Sequence, residues 1–428
     1  MRAFLRSHGV LVVVTALYVA NFMDRSAIAV VLEPMKLDLG LTDAQAGLVQ
    51  SILLMCLPLL LVPSSLALDI WGRKRMFVLV TIAWSLGTLG TGLATGFALL
   101  LVARAVCSLG EASFGSGGTS WVSMTYAPER RSRMLGIFGL AAPLGMALGT
   151  FGGGMVVSLT GSWRTPFLLL IVPGVILAVS LLFLKDYDSG VADDKRRLSH
   201  YLTETLALFR NRTLMIIGLA TAAYCYVKFS YQGWVPTMLV RSYGLDCMQA
   251  GHLFTLMVLA GVIGPLVGGV LADRRQRRSP VGRPQTVALL LCAITLSKAV
   301  FYGLMGHIPL SAIVVLGVVD SILTMAPIPV YFSIVQDVVP VRLKSTAVGL
   351  FGTIVFLGGG AWGPIAVGAL SDWLGGGTAI NLAMQSNVIA AILSAFFFFI
   401  ICRTYVDDKR RIEAEEKARR AAIEATQA

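Results

Sequence analysis

The stretch GVLVVVTALYVANFMDRSAIAVVL, residues 9–32, decides how the rest of the chain has to fold. It is long enough to cross a bilayer, which takes about 20 mostly apolar residues. Yet Asn21, Asp24 and Arg25 lie in its second half, and a charge at mid-bilayer costs at least about 2.5–3.5 kcal/mol. At 100° per residue these three side chains share one sector of a helix. They predict a helix facing a polar, protein-lined cavity, whose other walls the remaining chain must supply.

The composition excludes a soluble globular protein. Of the 428 residues, 56% are hydrophobic and 14% are charged, and the mean hydropathy is +0.78. These values are typical of a polytopic membrane protein. Because every backbone polar group must be satisfied in lipid, we expect the spans to be helices.

The net charge of +12 is distributed in a way that indicates a membrane topology and leaves little reason to expect nucleic acid as a partner. Of the 35 Lys and Arg residues, 28 lie in alternate loops and the two tails, three in the intervening loops and four inside apolar segments. The positive-inside rule then places both termini in the cytoplasm. We therefore predict a multi-pass protein of the inner membrane.

Catalytic and metal-binding patterns are missing from the sequence. The six cysteines show no CxxC spacing, the four histidines form no HExxH motif, and no GxxxxGK[ST] nucleotide loop is present. The sequence therefore predicts no enzyme, no metal site and no cofactor.

Twelve apolar segments are predicted to span the membrane as α-helices. Their approximate bounds are 9–32, 43–67, 77–95, 97–120, 135–158, 165–184, 213–239, 249–272, 285–305, 309–335, 344–371 and 380–402. We predict an all-α polytopic membrane protein with an N-terminal six-helix bundle, a cytoplasmic linker, a C-terminal six-helix bundle and a basic, helical cytoplasmic tail. The bounds of these four parts are 1–184, 185–212, 213–402 and 403–428.

An internal repeat relates the two predicted bundles. The loop after span two reads SSLALDIWGRKRM, and the loop after span eight reads GGVLADRRQRRSP. The entry to span five, PERRSRMLGIFG, likewise matches the entry to span eleven, PVRLKSTAVGLFG. Two related halves are typical of a transporter that binds its substrate between them near the bilayer midplane.

These loops carry a resemblance to the major facilitator superfamily, whose signature between spans two and three is G-x-x-x-D-R-x-G-R-[RK]. Here the loop keeps Asp69, Gly72 and Arg73, with Ser65 for the first glycine and Ile70 for the first basic residue. The fourth-span signature R-x-x-x-G-x-G appears as RAVCSLG, again with serine for the first glycine. The resemblance covers nearly the whole chain. It implies two pseudo-symmetric six-helix bundles and transport by alternating access.

Within the superfamily the chain is similar to Spinster-like transporters. The similarity lies in NFMDR of span one, AWSLGT of span three, GEAS of span four and GSWRTPF before span six. In that group an aspartate–arginine pair of the first span and an arginine–glutamate pair of the fourth are tied to proton-linked transport. The resemblance thus implies Asp24, Arg25, Arg104 and Glu111 as proton-coupling residues. Organic-anion:proton symporters of the same superfamily are the alternative relatives.

The chemistry of these four residues fits such a role. Arg104 and Glu111 are seven residues apart and so lie on one helix face. Burial disfavours the charged form of a carboxyl group, and a neighbouring guanidinium favours it. We interpret Asp24 and Glu111 as proton-responsive acids, and Arg25 and Arg104 as counter-ions and anion ligands. The alternative is a buried salt-bridge cluster that only orients the helices.

Side chains of spans seven and ten extend the predicted substrate site. Tyr224 and Tyr231 share a stripe with Lys228, a candidate ligand for a carboxylate or phosphate; aromatic packing with a snorkelling lysine is the alternative. On span ten, Asp320 is expected to pair with Lys228 or Lys298. The predicted substrate-binding residues are Asn21, Arg25, Arg104, Tyr224, Lys228, Tyr231, Gln232, Trp234, Asp320 and Thr324.

The repeated loops also predict a cytoplasmic gate. Asp69 and Arg73 in one loop match Asp273 and Arg277 in the other, and such acid–base pairs can form in one transport state and part in another. Charges that only fix the topology would explain the basic residues but not the two matched aspartates. Glycines crowd spans five and eleven, which predicts close helix packing or a hinge.

The sequence predicts a secondary active transporter that works by alternating access, coupled to protons and moving an organic anion or amphiphile across the inner membrane. The alternative is a Spinster-like transporter or flippase of lysolipids or sphingoid lipids without strict proton coupling. We expect its partners to be a small-molecule or lipid substrate, protons and membrane lipids, and the protein to be a monomer.

Overall fold

The computed structural model describes residues 2–184, 208, 211–340 and 343–427, and the regular structure of these residues is entirely helical. The predicted linker, 185–212, lies outside the described residues except for positions 208, 211 and 212. The predicted tail continues the last apolar helix without a break and is helical as far as residue 427.

The helices follow one another as α1 (Arg2–Leu39), α2 (Asp43–Trp71), α3 (Arg73–Gly92), α4 (Phe97–Thr125), α5 (Pro128–Gly139), α6 (Ala141–Thr160), α7 (Thr165–Leu182), α8 (Arg212–Tyr243), α9 (Cys247–Gly261), α10 (Ile263–Gln276), α11 (Gly282–Leu304), α12 (Leu310–Met325), α13 (Ile328–Asp337), α14 (Lys344–Val355), α15 (Trp362–Trp373), α16 (Ile380–Ala383) and α17 (Ser386–Gln427). A π-helical turn, Phe356–Gly360, joins α14 to α15, and a 3₁₀ turn, Gly377–Ala379, precedes α16.

The twelve predicted spans coincide with single helices or with pairs of consecutive helices. Eleven helical segments in the described part of the chain are long and apolar enough to cross a membrane. The third predicted span coincides with α3, which is not among these eleven. The protein is therefore an all-α polytopic membrane protein, as its composition predicts.

Glycine–proline spacing explains where long spans break into two helices. A proline clashes with the carbonyl group four residues before it and removes a backbone donor. Three breaks follow a glycine that stands four residues before a proline, and these pairs are Gly139 and Pro143, Gly261 and Pro265, and Gly360 and Pro364. By contrast, α7 continues through Pro173, and the residue four positions before this proline is Leu169. A helical glycine is itself destabilising, so the combination is what ends the helix.

The described residues form two compact units. The first consists of residues 2–184, Ser230–Leu259 and Pro364–Ala383; the second consists of 211–229, Ala260–Gly363 and 384–427. The first unit thus takes in parts of predicted spans seven, eight and eleven and the first residues of span twelve. The division of the chain into two repeated bundles stays a prediction.

Glycines of α6 let it pack closely against α1 in the first unit. A Cβ atom added at Gly145 would collide with the Val19 carbonyl oxygen, and one at Gly149 would collide with Ser26 and with backbone of Met23. The Ser26 hydroxyl, in turn, donates to the Phe22 carbonyl of its own helix over 2.8 Å. Close packing is therefore the observed use of the glycines in this span.

We expect Gly149→Ala to destabilise the protein and Gly152→Ala to leave it unchanged or slightly more stable. An overpacked site typically costs about 1–3 kcal/mol, whereas no atom lies within 4 Å of a Cβ added at Gly152. Thermal unfolding of the two variants in the same detergent measures the difference. Equal melting temperatures would contradict the packing role.

Candidate functional site

Two ion pairs join α1 to α4 within the first unit. Arg104 Nη1 donates to Asp24 Oδ2 over 2.8 Å, and Arg25 Nη1 donates to Glu111 Oε1. Each acid is therefore paired with an arginine of the other helix. The Asp24–Arg104 pair is fully buried, whereas the Arg25 side chain is 22% exposed. Of the two pairs, the one containing Arg25 and Glu111 is the more accessible.

Polar atoms remain at this site beyond those used in the ion pairs. Asp24 Oδ1, Glu111 Oε2 and Arg104 Nε are buried and have no hydrogen-bond partner among the described residues, and the same holds for Asn21 Oδ1. An unsatisfied buried polar atom costs about 1–3 kcal/mol. The site thus combines buried carboxylates, each with one oxygen outside its ion pair, with an arginine that has a donor to spare.

An aromatic residue that the sequence reasoning missed lies beside this site. The ring of Tyr18 stacks on Phe138 at 5.1 Å and meets Phe22 edge-on at 4.9 Å. The Arg25 guanidinium lies 5.9 Å from the centre of the Phe22 ring. Tyr18 is three residues before Asn21, on the same helical stripe. The three-residue spacing from Asn21 is the feature of the sequence from which Tyr18 could have been predicted.

A second buried ion pair lies in the second unit, between α11 and α12. Lys298 Nζ donates to Asp320 Oδ2, and both side chains are fully buried. The Ser297 hydroxyl donates to the other oxygen, Asp320 Oδ1, over 2.9 Å. Of the two partners that the sequence left open for Asp320, Lys298 is the one it contacts. Asp320 is therefore neutralised within its own unit.

Tyrosines of α8 and α13 form a buried cluster in the same unit. Tyr224 donates its hydroxyl to the Thr324 carbonyl, and its ring meets Tyr331 edge-on at 5.2 Å. Among the described residues no partner is found for Tyr331 Oη or Thr324 Oγ1, although both are buried. The predicted ligands Tyr224 and Thr324 thus lie together.

The predicted ligands Lys228 and Gln232 lie one turn apart on α8. Lys228 Nζ is 5.3 Å from the centre of the Phe229 ring, and Gln232 is half-buried. Lys228 lies in the second unit, and Gln232 in the first. Their role in substrate binding stays a prediction.

Two further predicted ligands on α8 have partners inside the first unit. Tyr231 donates to Met257 Sδ over 3.7 Å, and Trp234 Nε1 donates to the Pro364 carbonyl over 3.0 Å. Trp234 is fully buried. These contacts hold α8 to α9 and α15, and a role in substrate binding stays a prediction for both residues.

In the first predicted gate loop, Arg73 is buried and its Nε donates to Ser120 Oγ of α4 over 3.1 Å. Gly72, between α2 and α3, has φ +84°, a conformation that favours glycine. The side chain of Asp69 lies outside the described part of the protein. The structure therefore shows what Arg73 contacts in its own unit but leaves its pairing in a gate a prediction.

In the second gate loop, Asp273 lies 3.4 Å from Arg283, which is also 2.5 Å from Asp337. Arg277, its predicted counterpart, is exposed. The acid of this loop thus contacts an arginine six positions beyond the predicted one. The gate itself stays a prediction.

An ion-pair network that the sequence reasoning missed lies at one end of the first unit. Arg241 of α8 donates to both oxygens of Asp43, at 2.9 and 2.7 Å, and to Glu33 of α1, at 2.9 and 2.8 Å. Lys36 also contacts Asp43, at 2.5 Å. With Asp372 these four residues form what we call the outer cluster. Lys36 and Arg241 are two of the three basic residues that the sequence analysis places in the intervening loops, and their pairing was not predicted.

Asp372 of α15 completes the outer cluster by capping α2. Its two carboxylate oxygens accept the backbone N–H groups of Asp43 and Ala44, at 2.9 and 2.8 Å. The neighbouring Ser371 hydroxyl donates to Asp43 Oδ2 over 2.6 Å. The first N–H groups of a helix have no partner within it and carry partial positive charge. The cap thus ties the start of α2 to the end of α15.

Comparison with known proteins agrees with these features. A model of the Major Facilitator Superfamily matches residues 14–364. The chain is 28% identical to protein spinster homolog 1 of Xenopus tropicalis, over 95% of this chain and 83% of that protein. It is 27% identical to the hexuronate transporter of Bacillus subtilis, over 83% and 86% of the two chains.

Solved structures show the same fold. A bacterial homolog to the human lysosomal transporter Spinster, in an inward-facing and occupied conformation, superposes with a TM-score of 0.81 at 22% identity. The superposition covers 94% of this chain and 98% of the other. Helices of membrane-spanning length with buried ion pairs inside them are those of a polytopic membrane protein. The chain belongs to the Major Facilitator Superfamily, and its resemblance to Spinster-like proteins is confirmed.

We expect Asp320→Asn to destabilise the protein strongly, because it leaves the Lys298 cation buried without its counter-ion. Removing one partner of a buried pair typically costs about 3–5 kcal/mol. The double variant Lys298→Met/Asp320→Asn removes both charges and should recover most of that loss. Thermal unfolding in detergent micelles measures all three proteins.

The exposed pair Lys409 and Glu413, 3.9 Å apart on α17, supplies the control. Glu413→Gln should change the melting temperature little, because an exposed pair contributes about 0–1 kcal/mol. If Asp320→Asn had an equally small effect, the Lys298–Asp320 pair would not be a buried ion pair in solution.

Proposed function

We propose that this transporter is proton-coupled, works by alternating access and moves an organic anion across the inner membrane, with both termini in the cytoplasm. The observation that carries the proposal is the crossed pairing of Asp24 with Arg104 and of Arg25 with Glu111. Charges inside a membrane span are functional by default, since their cost must be offset. The orientation rests on the distribution of Lys and Arg in the sequence.

The pairing suggests how a proton and an anion are linked. Glu111 is neutralised by Arg25 in this arrangement, and Arg25 is the most accessible of the four charges. An anionic substrate that binds Arg25 competes with Glu111 for it. A buried carboxylate that loses its counter-ion becomes a stronger base, so Glu111 takes up a proton as the anion binds. Proton and anion then cross together.

The second pair supports a different task for Asp24. Its partner Arg104 is fully buried, and the pair has no accessible side. Breaking it would leave a charge in a poorly solvated environment, at a cost of about 3–5 kcal/mol. We assign Asp24 and Arg104 to holding α1 against α4, with Asp24 taking a proton only when the helices move apart.

The substrate class rests on the basic residues and on the named relatives. Arg25, the accessible cation of the ion-pair site, is a suitable ligand for a carboxylate or phosphate, and Lys228 is predicted from the sequence to be another. The name of the Bacillus relative specifies a hexuronate, which is an organic anion. A lysolipid or sphingoid lipid is the alternative, in line with the similarity to spinster homolog 1.

Glu111→Gln should abolish substrate-driven proton movement, because a neutral amide cannot take up the proton. The measurement uses purified protein in liposomes with an internal pH dye and a panel of carboxylates, sulfonates and lysophospholipids. Asp38→Asn is the matched control, since Asp38 is a carboxylate paired with Arg164 in an exposed position. It should retain wild-type proton movement.

The outcomes distinguish an organic-anion symporter from a lipid transporter. Proton movement driven by a small anion in wild type and Asp38→Asn, but not in Glu111→Gln, supports an organic-anion symporter. Transport of a lysolipid alone, with no proton movement, favours the lipid transporter. If transport by Glu111→Gln kept its pH dependence unchanged, Glu111 would not be part of the coupling step.

We further propose that the outer cluster is the gate on the non-cytoplasmic side. Five charged residues from four helices meet there, and Arg241 bridges two carboxylates. Ion pairs that can part as a group form a two-state element. In this proposal the outer cluster is formed while the substrate site is closed to the outside, and it parts when the site opens.

Arg241→Gln should increase access to the site from outside. In a background with the six native cysteines replaced by alanine, Asn21→Cys provides a label site for a membrane-impermeant maleimide. We expect labelling from the outer side to be several-fold faster with Arg241→Gln. Arg164→Gln is the control, because Arg164 pairs with Asp38 outside the outer cluster. Equal rates in all backgrounds would contradict the gate.

A further inference from the structure

A large apolar groove opens on the side of the first unit, between α1, α5 and α7. Its volume is about 890 Å³, which is in the range of small-molecule binding pockets. Its walls include Thr15 and Val19 of α1, Ile137 of α5 and Ile176 of α7. We call this feature the lateral groove.

The break in span five creates the lateral groove. Beyond the break, α6 is held close to α1 by Gly145 and Gly149, where an added Cβ atom would collide with α1. Before the break, α5 presents Met134 and Ile137 to the lateral groove, and Gly136 has no atom near its Cβ position. The lateral groove therefore results from the helix break at Leu140.

One end of the lateral groove is polar. His8 lines it there, and its Nδ1 lies 2.7 Å from the Tyr126 hydroxyl. Tyr126 lies in the short connection between α4 and α5, and the first turns of α5 carry the exposed Arg130 and Arg133. Arg130 shares one helical stripe with the groove-lining Met134, since residues four apart are neighbours on a helix. Arg133 likewise stands four residues before the groove-lining Ile137, so two arginines flank the polar end. Apart from Thr15, the rest of the lining is apolar.

The dimensions match one leaflet of a bilayer. The groove-lining residues of α1 run from His8 to Met23, a rise of about 22 Å along the helix. Half of a bilayer's hydrocarbon core is about 15 Å thick, which leaves about 7 Å for a headgroup at the polar end. By the topology proposed above, that end lies on the cytoplasmic side.

The lateral groove is separate from the ion-pair site. Its α1 lining and the stripe of Asn21, Asp24 and Arg25 point in directions roughly 130–170° apart around the helix. The body of α1 therefore stands between them. An occupant of the lateral groove is not in the position of the transported anion.

From these observations we propose that the lateral groove binds one anionic phospholipid of the cytoplasmic leaflet. The acyl chains pack along α1 between α5 and α7, and the phosphate pairs with Arg130 and Arg133. A basic residue near an anionic headgroup contributes about 1 kcal/mol, so each arginine should change affinity about fivefold. The inference is independent of the transported substrate and of proton coupling.

The test compares two neighbouring arginines. Arg130→Gln and Arg131→Gln remove the same charge one position apart, but Arg131 lies about 100° away around α5. Native mass spectrometry of the full-length protein, titrated with equal amounts of phosphatidylglycerol and phosphatidylcholine, counts bound lipids. We expect one phosphatidylglycerol per wild-type chain, about fivefold weaker binding in Arg130→Gln, and wild-type binding in Arg131→Gln.

A second pair of variants tests the apolar part. Ala16→Phe places a ring in the lateral groove, whereas Val179→Phe adds one to the exposed surface of α7 outside it. Only Ala16→Phe should lose the bound lipid. Equal binding of both lipids, or equal losses in Arg130→Gln and Arg131→Gln, would overturn the proposal. If Ala16→Phe does not fold, the arginine pair decides alone.

Discussion

A charge placed inside a membrane span must meet an opposite charge, and this constraint governs how α1 packs. Asp24 is almost inaccessible and lies 2.8 Å from Arg104. Neither residue can be stable alone in such a position. The pair therefore fixes both the rotation of α1 about its axis and its height against α4. Arg25 lies one residue after Asp24, and Glu111 lies two turns after Arg104. The positions of these two residues are therefore fixed by the same pair.

Once α1 is fixed in this way, its other faces acquire their roles. The backbone of Val19 and Met23 meets the glycines of α6, and their side chains line the lateral groove. The end of the same helix supplies Glu33 and Lys36 to the outer cluster. A single helix thus connects the buried charges, the close packing of span five and the ion pairs of the outer cluster. A change in its position would affect all three.

The sequence predicts the spans and the residues of the ion-pair site because both follow from local rules. Apolar length marks a span, and a charge within it marks a site. Partner choice is different: Asp24 pairs with Arg104, and Asp320 pairs with Lys298, because of where separate helices come to rest. The outer cluster was missed for the same reason. The local cap of α2 is readable as Thr42 with Gln45, but Asp372 caps the same helix from 329 positions away.

The last helix has a consequence for the tail. Because α17 runs unbroken to Gln427, the part beyond Cys402 is a continuous helix about 37 Å long. The attraction between charges fades over about 8 Å in physiological salt. When this helix points away from the membrane, most of its length is therefore too far from the lipid headgroups to be attracted by them. Asp408 accepts the backbone N–H and the hydroxyl of Thr213 at its base. From Asp408 to Gln427 the helix rises about 28 Å, so a tilt of about 10° at Asp408 would move the tip by about 5 Å.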